Sequence, residues 1–343
     1  MKTFVIAEAG VNHNGDENLA LALVDAAAKS GADAVKFQTF SADKLTRKGV
    51  EKAEYQKQGT GDGDQHGMLR ALEMSESLHR RLFAHCRHLG IEFMSTAFDE
   101  DALDFLIDLG IKRIKVPSGE ITNVPLLTRM ASKGLPLIIS TGMAELSEVV
   151  AAVDIIGSAR AARGFVEPLT DVVTILHCTS NYPTAIADVN LRAMRTMAGA
   201  TGLPVGYSDH TLGLAVATGA VALGATVIEK HFTLDTNLPG PDHKASLEPA
   251  QLGALVQQIR DMEVALGSAV KAPTASELPI RDLVRRSVTT LRSIAAGTTV
   301  GKDDVALLRP GTGIPPIDLE KVIGRKSVRH LAAGETISWS DIV

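Results

Sequence analysis

Residues 204–243 read PVGYSDHTLGLAVATGAVALGATVIEKHFTLDTNLPGPDH, and this stretch decides the architecture. Two short apolar runs, ending at Gly206–Tyr207 and at Val227–Ile228, each break into polar residues. Ser208, Asp209 and His210 follow the first; Glu229, Lys230 and His231 follow the second. A small-residue helical pattern, Leu212 to Leu223, lies between them. Strand, helix, strand is the repeating unit of a parallel α/β fold, whose ligands bind at the carboxyl ends of the strands. Two imidazoles just past neighbouring strand ends are suited to share one divalent cation. A single histidine there would more simply brace a turn, so the pair has to be weighed against the rest of the chain.

Working outward, the same unit recurs. TFVIAEAG is a strand running into Glu8 and a turn, NHNGD, that starts a helix over residues 17–30. ADAVKFQTF is the next strand, followed by a long polar insertion, residues 41–74, expected to be a functional or disordered loop. Helices are then predicted near Glu76–Leu89, Asp99–Leu109, Val124–Ser132, Leu146–Ile156, Leu191–Ala200 and Pro249–Leu266, alternating with short β-rich runs. About eight such units predict a (β/α)8 barrel, with a doubly wound open sheet as the alternative. Nearly every strand ends in a polar residue: Glu8, Lys36, Thr96, Lys115 with Ser118, Ser140, His177 with Ser180, Ser208 with His210, and Glu229 with His231. On a barrel these ends converge on one mouth.

The barrel is expected to occupy residues 1–266. GSAVKAPTASELP opens a proline-punctuated linker, 267–285, and a small, mainly β domain is expected over 286–343. Within that domain LRSIAAGTTVGKDDV, residues 291–305, lines up with VRHLAAGETISWSDI, residues 328–342, at a spacing of 37. Each copy reads as strand, Ala-Ala-Gly turn, strand and Asp-marked turn. The glycine-rich loop between the copies carries Arg309.

Composition excludes several classes. Net charge is −5 and aromatics make up 4% of the 343 residues, so neither a basic face nor a stacking platform for nucleic acid is in view. Two cysteines, Cys86 and Cys178, cannot build a disulfide framework. The apolar run at residues 4–11, broken by Glu8, is too short and polar for a signal peptide, and no stretch reaches membrane-spanning length. The sequence therefore predicts a cytoplasmic protein that binds neither nucleic acid nor membrane.

A mouth with Lys36, Lys115, several hydroxyls and two metal-ready histidines suits a small phosphate-bearing anion beside a metal-polarised carbonyl. That pairing suggests carbon–carbon bond formation from a phosphorylated nucleophile. The residues alone take the chemistry no further.

The ordered set IAEAGVNHNGD, VKFQTF, STAFD, KVPSGE, STGM, HCTSNYP, GYSDHT, VIEKHFT, PGPDHKAS and RPGTGI resembles the sialic acid (nonulosonic acid) synthase family across essentially the whole chain. The resemblance implies a barrel followed by a C-terminal antifreeze-like (SAF, β-clip) domain, paired in domain-swapped homodimers. It implies condensation of phosphoenolpyruvate with an N-acetylated mannose-type sugar, with release of phosphate. A divalent metal is implied, manganese by preference with magnesium or cobalt as substitutes. By motif, His210 and His231 would hold that metal. Lys36, Thr96, Lys115, Ser118, Ser140, Ser180 and Ser208 would bind phosphoenolpyruvate, with Glu8 beside the reacting carbons. Asp242 would hold a sugar hydroxyl, Tyr182 and Phe98 would shape the sugar pocket, and Arg309 would grip the N-acyl group in the neighbouring subunit. Ala97 departs from the proline many relatives carry after Ser-Thr. KAEYQK and TSNYP look closest to legionaminic acid synthases, which take 2,4-diacetamido-2,4,6-trideoxymannose; an N-acetylneuraminate synthase using N-acetylmannosamine is the near alternative.

Other residues take plainer readings. Lys230 is expected to form an ion pair behind the mouth, Asp209 and His13 to hold turns, and His177 and Cys178 to pack near the site. Glu229 is expected to brace the metal's histidines. Two readings of other classes compete: a Schiff-base aldolase using Lys115 or Lys36, and a non-catalytic carbohydrate- or ice-binding protein.

Overall fold

Eight parallel strands close into a barrel in the computed structural model, which describes residues 2–343. They are β1 (Phe4–Gly10), β2 (Ala34–Thr39), β3 (Glu92–Ala97), β4 (Ile114–Val116), β5 (Leu137–Ser140), β6 (Val173–His177), β7 (Val205–Asp209) and β8 (Val227–His231). Each pairs with the next in sequence, and β8 closes on β1 with His231 opposite Glu8. This is the (β/α)8 barrel, and the open-sheet alternative falls away.

Strand periodicity explains both the core and the site. Ile6, Ala34, Met94, Ile138, Leu176 and Val227 plug the barrel's interior as a cluster of their own. Their strand neighbours Val5, Ala7, Val35, Phe93, Ile139, Ile175 and Ile228 face outward into the larger core under the helices. Each fully buried aliphatic side chain contributes roughly 1.5–3 kcal/mol. Because side chains alternate with a period of two, the next inward positions toward the mouth are Glu8, Lys36, Thr96, Ser140 and Glu229. Gly206 completes the plug. A Cβ there would lie 2.4 Å from the Val227 carbonyl oxygen and 2.6 Å from Leu176 Cδ2, so only a bare backbone fits.

The helices follow their caps. Ser75 Oγ accepts from Leu78 N at 3.2 Å to start Glu76–Leu89, and Gly90, at φ 75°, ends it. Two expectations need correction. The 41–74 insertion is built from three short helices, Ala42–Leu45, Glu54–Thr60 and Gln65–Ala71. Asp64 ties it together by accepting from Gly49 N at 2.6 Å and Gly67 N at 2.8 Å, and Gly240 N donates to Gly59 O at 3.1 Å. Its polar composition hides these caps. Likewise, the stretch read as linker carries a helix, Glu277–Val284, whose first turn is fixed by Thr274 N donating to Glu277 Oε2 at 2.7 Å.

The chain divides into two compact units, the second spanning Ser268–Val343. That unit has its own core, including Val288, Ile294, Val300, Leu331 and Ile337. Its strands β9 (Ser287–Thr290) and β10 (Val305–Leu308) are antiparallel. The 37-residue repeat is real in space: Ile294 and Leu331, equivalent positions, exchange both backbone hydrogen bonds at 2.9 Å. Asp304 accepts from Gly301 N at 2.7 Å, and its equivalent Asp341 from Ser338 N at 2.8 Å. Arg292 and Arg329, also equivalent, pair with those same aspartates. Much of the expected strand pairing reduces to isolated bridges, since the Ala-Ala-Gly turns keep each extended run short. Among the described residues no helix is long and apolar enough to cross a membrane.

Candidate active site

The carboxyl ends of the strands surround a cavity of about 480 Å³, within the range of small-molecule sites. Every barrel residue singled out above as a site residue lines it: Glu8, Lys36 and Thr96 on the first three strands, with Phe98 just beyond; Lys115 and Ser118 from β4; Ser140 from β5; Ser180 and Tyr182 after β6; Ser208 and His210 from β7; His231 and Asp242 from β8 and its loop. Arg309 lies in the second unit. His177 does not line the cavity. It sits one residue past inward-facing Leu176, so it points outward, with Nε2 2.8 Å from the Val189 carbonyl oxygen. A larger hollow of about 560 Å³ opens near the strand starts, beside Phe4 and Glu92. Its carboxylates are already spent, Glu92 on Arg113 and Asp33 on Arg260, and strand starts are not where this fold does chemistry.

At the floor four buried charges alternate. Lys36 Nζ lies 2.7 Å from Glu8 Oε2 and 3.7 Å from Glu229 Oε2. Lys115 Nζ lies 3.6 Å from Glu229 Oε1. The lysines also donate to hydroxyls, Lys36 to Thr96 Oγ1 at 3.1 Å and Lys115 to Ser140 Oγ at 2.7 Å. Glu229 therefore bridges two ammonium groups and accepts from Ser208 Oγ at 3.1 Å, and it meets the histidine pair only through that hydroxyl, 3.5 Å from His210 Nε2. The two carboxylates differ. Burial pushes Glu8 up to about 7 against the pull of Lys36, whereas for Glu229 the pull of Lys115 and Lys36 outweighs burial and holds its carboxyl below the usual value. The lysines differ too: burial lowers Lys115, while at Lys36 the neighbouring glutamates overcome burial and raise it.

The His210 and His231 rings stand 5.4 Å apart, centre to centre, with Tyr182 packed 4.1 Å from the first and 5.6 Å from the second. His210 Nδ1 is 2.7 Å from the Thr179 carbonyl oxygen. That bond puts the proton on Nδ1 and leaves Nε2 as the lone-pair donor. His231 Nδ1 is buried without a hydrogen-bond partner, with Asp242 Oδ2 3.9 Å away. Burial lowers both imidazoles, His231 the more strongly, so both are neutral, the form that ligates metal. Asp242 is buried as well, its carboxyl pushed up to about 6. Among the described residues no three histidine, cysteine, aspartate or glutamate side chains converge as a ligand cluster. A cation here would have two protein ligands and open positions.

The flanking residues behave as read. Lys230 Nζ pairs with Asp209 Oδ2 at 2.8 Å behind the mouth. Asp209 Oδ1 accepts from Thr211 N and Oγ1, holding the turn. His13 Nδ1 accepts from Gly15 N at 3.0 Å, also in a turn. Cys178 packs against Ser118, sulfur to hydroxyl oxygen 3.3 Å. Sequence reasoning missed Tyr55, Gln56, Gln65, Met68 and Leu69, which the insertion contributes to the cavity wall. Tyr55 packs against Tyr182, the rings tilted and 5.2 Å apart centre to centre. The insertion's length was the one signal available, since its polar run has no apolar period.

A closed barrel with an acid-base floor, a neutral histidine pair and an SAF tail defines a class. Residues 23–271 match the NeuB family and residues 285–343 the SAF domain. The chain belongs to the NeuB family. It is 57% identical over 343 residues to the N,N'-diacetyllegionaminic acid synthase of Legionella pneumophila, covering 100% of this chain and 95% of that one. It is 43% identical over 337 residues to the enzyme of that name from Campylobacter jejuni, covering 98% and 99%. Among solved structures, the N-acetylneuraminic acid (sialic acid) synthetase from Leptospira borgpetersenii superposes with a TM-score of 0.70 at 34% identity, over 82% of this chain and 90% of that one.

Proposed function

We propose that this chain is a nonulosonic acid synthase, a transferase that condenses phosphoenolpyruvate with 2,4-diacetamido-2,4,6-trideoxymannose to give N,N'-diacetyllegionaminate and phosphate. The observation that carries the reading is the shared cavity, with two lysines and a row of hydroxyls at one part and two neutral imidazoles at another. The full-length likeness to two legionaminic acid synthases supports the choice of sugar.

Lys36 and Lys115, with Thr96, Ser118, Ser140, Ser180 and Ser208, hold the phosphate and carboxylate of the enol phosphate by charge-assisted hydrogen bonds. Phosphate binding there competes with Glu229 for both ammonium groups. The orphaned Nδ1 of His231 and the Nε2 of His210, met only by the Ser208 hydroxyl at 3.5 Å, fit a cation's ligand set. His210 and His231 would hold a divalent ion, manganese by preference, and when bound it would supply a Lewis acid for the acceptor's carbonyl oxygen. Tyr182 and Phe98 orient the acceptor, and Asp242 takes one of its hydroxyls. With both reactants fixed, C3 of the enol phosphate bonds to the aldehyde carbon, water adds at C2, and the tetrahedral adduct loses phosphate by C–O cleavage. Glu8, ionising near neutrality, takes a proton from the water that adds at C2 and passes it to the oxygen of the former aldehyde. Residues 1–266 act as the catalytic domain in this reading, joined through 267–285 to the antifreeze-like domain, 286–343. Two chains form a homodimer in which Arg309 of one reaches the acceptor of the other. The enzyme works in the cytoplasm.

The deciding experiment measures phosphate release with 2,4-diacetamido-2,4,6-trideoxymannose, N-acetylmannosamine and its 6-phosphate side by side. Preference for N-acetylmannosamine would make the chain an N-acetylneuraminate synthase. Turnover lost in EDTA and restored by manganese supports the metal-dependent reaction; covalent trapping by borohydride without metal would instead make Lys115 or Lys36 a Schiff-base nucleophile.

A further inference from the structure

The cavity's wall changes character around the barrel. Because β8 neighbours β1, a sugar held at His210, His231 and Asp242 has the loops after β1, β2 and β3 beside it. Those loops contribute Val11, Phe98 and, from the insertion, Met68, Leu69 and Leu72, all lining the cavity. With Phe40 they form an apolar cluster separate from the barrel core. Among the described residues the cavity lining holds no lysine besides Lys36 and Lys115. Lys36 and Lys115 are engaged with Glu8 and Glu229, and Lys52 donates to the carbonyl oxygens of Gly61 and Asp62 at 3.1 Å each. Gln65, which also lines the cavity, accepts from Thr46 Oγ1 at 3.0 Å through Oε1, leaving its amide NH2 as the group it offers.

We propose that this apolar wall, with Gln65 at its edge, is a specificity subsite for the far end of the acceptor. It takes a deoxygenated methyl terminus together with a second acetamido group, and it rejects a hydroxymethyl or phosphorylated terminus. The inference rests on the synthase reading above. A methyl group laid on Met68, Leu69 and Leu72 gains burial, whereas a hydroxyl there sheds water and finds no partner. A phosphate would meet no uncommitted ammonium group. The acyl oxygen of a second acetamido group is the natural acceptor for the Gln65 NH2, and its methyl extends the apolar contact.

Leu69 is only half-buried, so replacing it does not hollow the core. Leu69→Gln is expected to lower kcat/KM for 2,4-diacetamido-2,4,6-trideoxymannose roughly tenfold, in the range a misplaced apolar contact costs. The same variant should leave or improve kcat/KM for N-acetylmannosamine and leave the phosphoenolpyruvate KM unchanged. Leu69→Met should keep the wild-type preference. Gln65→Met should cost the diacetamido sugar about tenfold, one hydrogen bond's worth, and spare N-acetylmannosamine. Equal losses on both sugars in Leu69→Gln and Gln65→Met would overturn the subsite. A wild-type chain that releases no phosphate with either sugar would overturn the synthase reading itself, an outcome distinct from a preference that does not move.

Discussion

Lys230 Nζ stands 2.8 Å from Asp209 Oδ2, and neither side chain reaches solvent. The other carboxylate oxygen of Asp209 holds Thr211 in the turn that carries His210. An ion pair so deep is worth little against a well-packed apolar pair, yet breaking one side strands a charge. Lys230→Met is therefore expected to destabilise the barrel by about 3–5 kcal/mol in urea unfolding. A loss under about 1 kcal/mol would mean that the Lys230–Asp209 pair does not hold this turn.

Gly142 bears on the hydroxyls proposed to bind phosphate. A Cβ at this position would come within 2.2 Å of Ser180 Oγ and 2.9 Å of Ser118 Oγ. Both hydroxyls belong to the cavity wall, so they must turn away to make room. Gly142→Ala should raise the phosphoenolpyruvate KM by about tenfold, about 1.4 kcal/mol, with little change in melting temperature. An unchanged KM would remove Ser118 and Ser180 from the phosphate site.

His231→Ala should abolish metal-dependent turnover and, by calorimetry, manganese binding, while the circular dichroism spectrum stays that of the parent. Retained manganese affinity would move the metal off the histidine pair.

Arg309→Ala should raise the acceptor's KM far more than that of phosphoenolpyruvate. Equal effects on both would count against an arginine that reaches the acceptor of a neighbouring barrel.

Two buried imidazoles make part of the stability depend on pH. Burial holds His13 and His243 neutral, each with a pKa of about 4. An unfolded imidazole titrates near 6.5. Between those values the unfolded chain binds the extra protons, so the stability contributed by neutral His13 and His243 is complete above about pH 6.5, declines as pH falls, and levels off near 4. Glu8 and Asp242, pushed up to about 7 and about 6, run the opposite way over the same range, so the check is a difference: the gap in urea midpoint between the parent and His243→Gln should narrow as pH falls from about 6.5 to about 4. A gap that stays constant from neutrality down to about pH 4.5 would contradict the burial of the His243 ring.

Most of the barrel was legible because its signals are local. A strand with period two has to turn Glu8, Lys36 and Thr96 the same way as Ile6, Ala34 and Met94, so a list of polar strand ends is already a site list. His177 is the instructive exception. Its place at a strand end looked right, but the same alternation, followed from Leu176, sends it outward. Glu229 was read at its right place but without its ion pairs: its partners Lys36 and Lys115 lie on strands far away in sequence, and only barrel closure brings them together. The insertion was illegible because its helices are short, capped by Asp64 and anchored by few apolar residues, so no period marks Tyr55, Gln65 or Leu69.

The matched halves of the C-terminal unit carry one more implication. Ile294 and Leu331 close the same bond on each other, and Asp304 and Asp341 tie identical knots. Each half supplies what the other lacks, as would two copies of one ancestral peptide before fusion. A fragment ending after β10 should then be orphaned in solution, and should recover order only by associating with a second copy of itself.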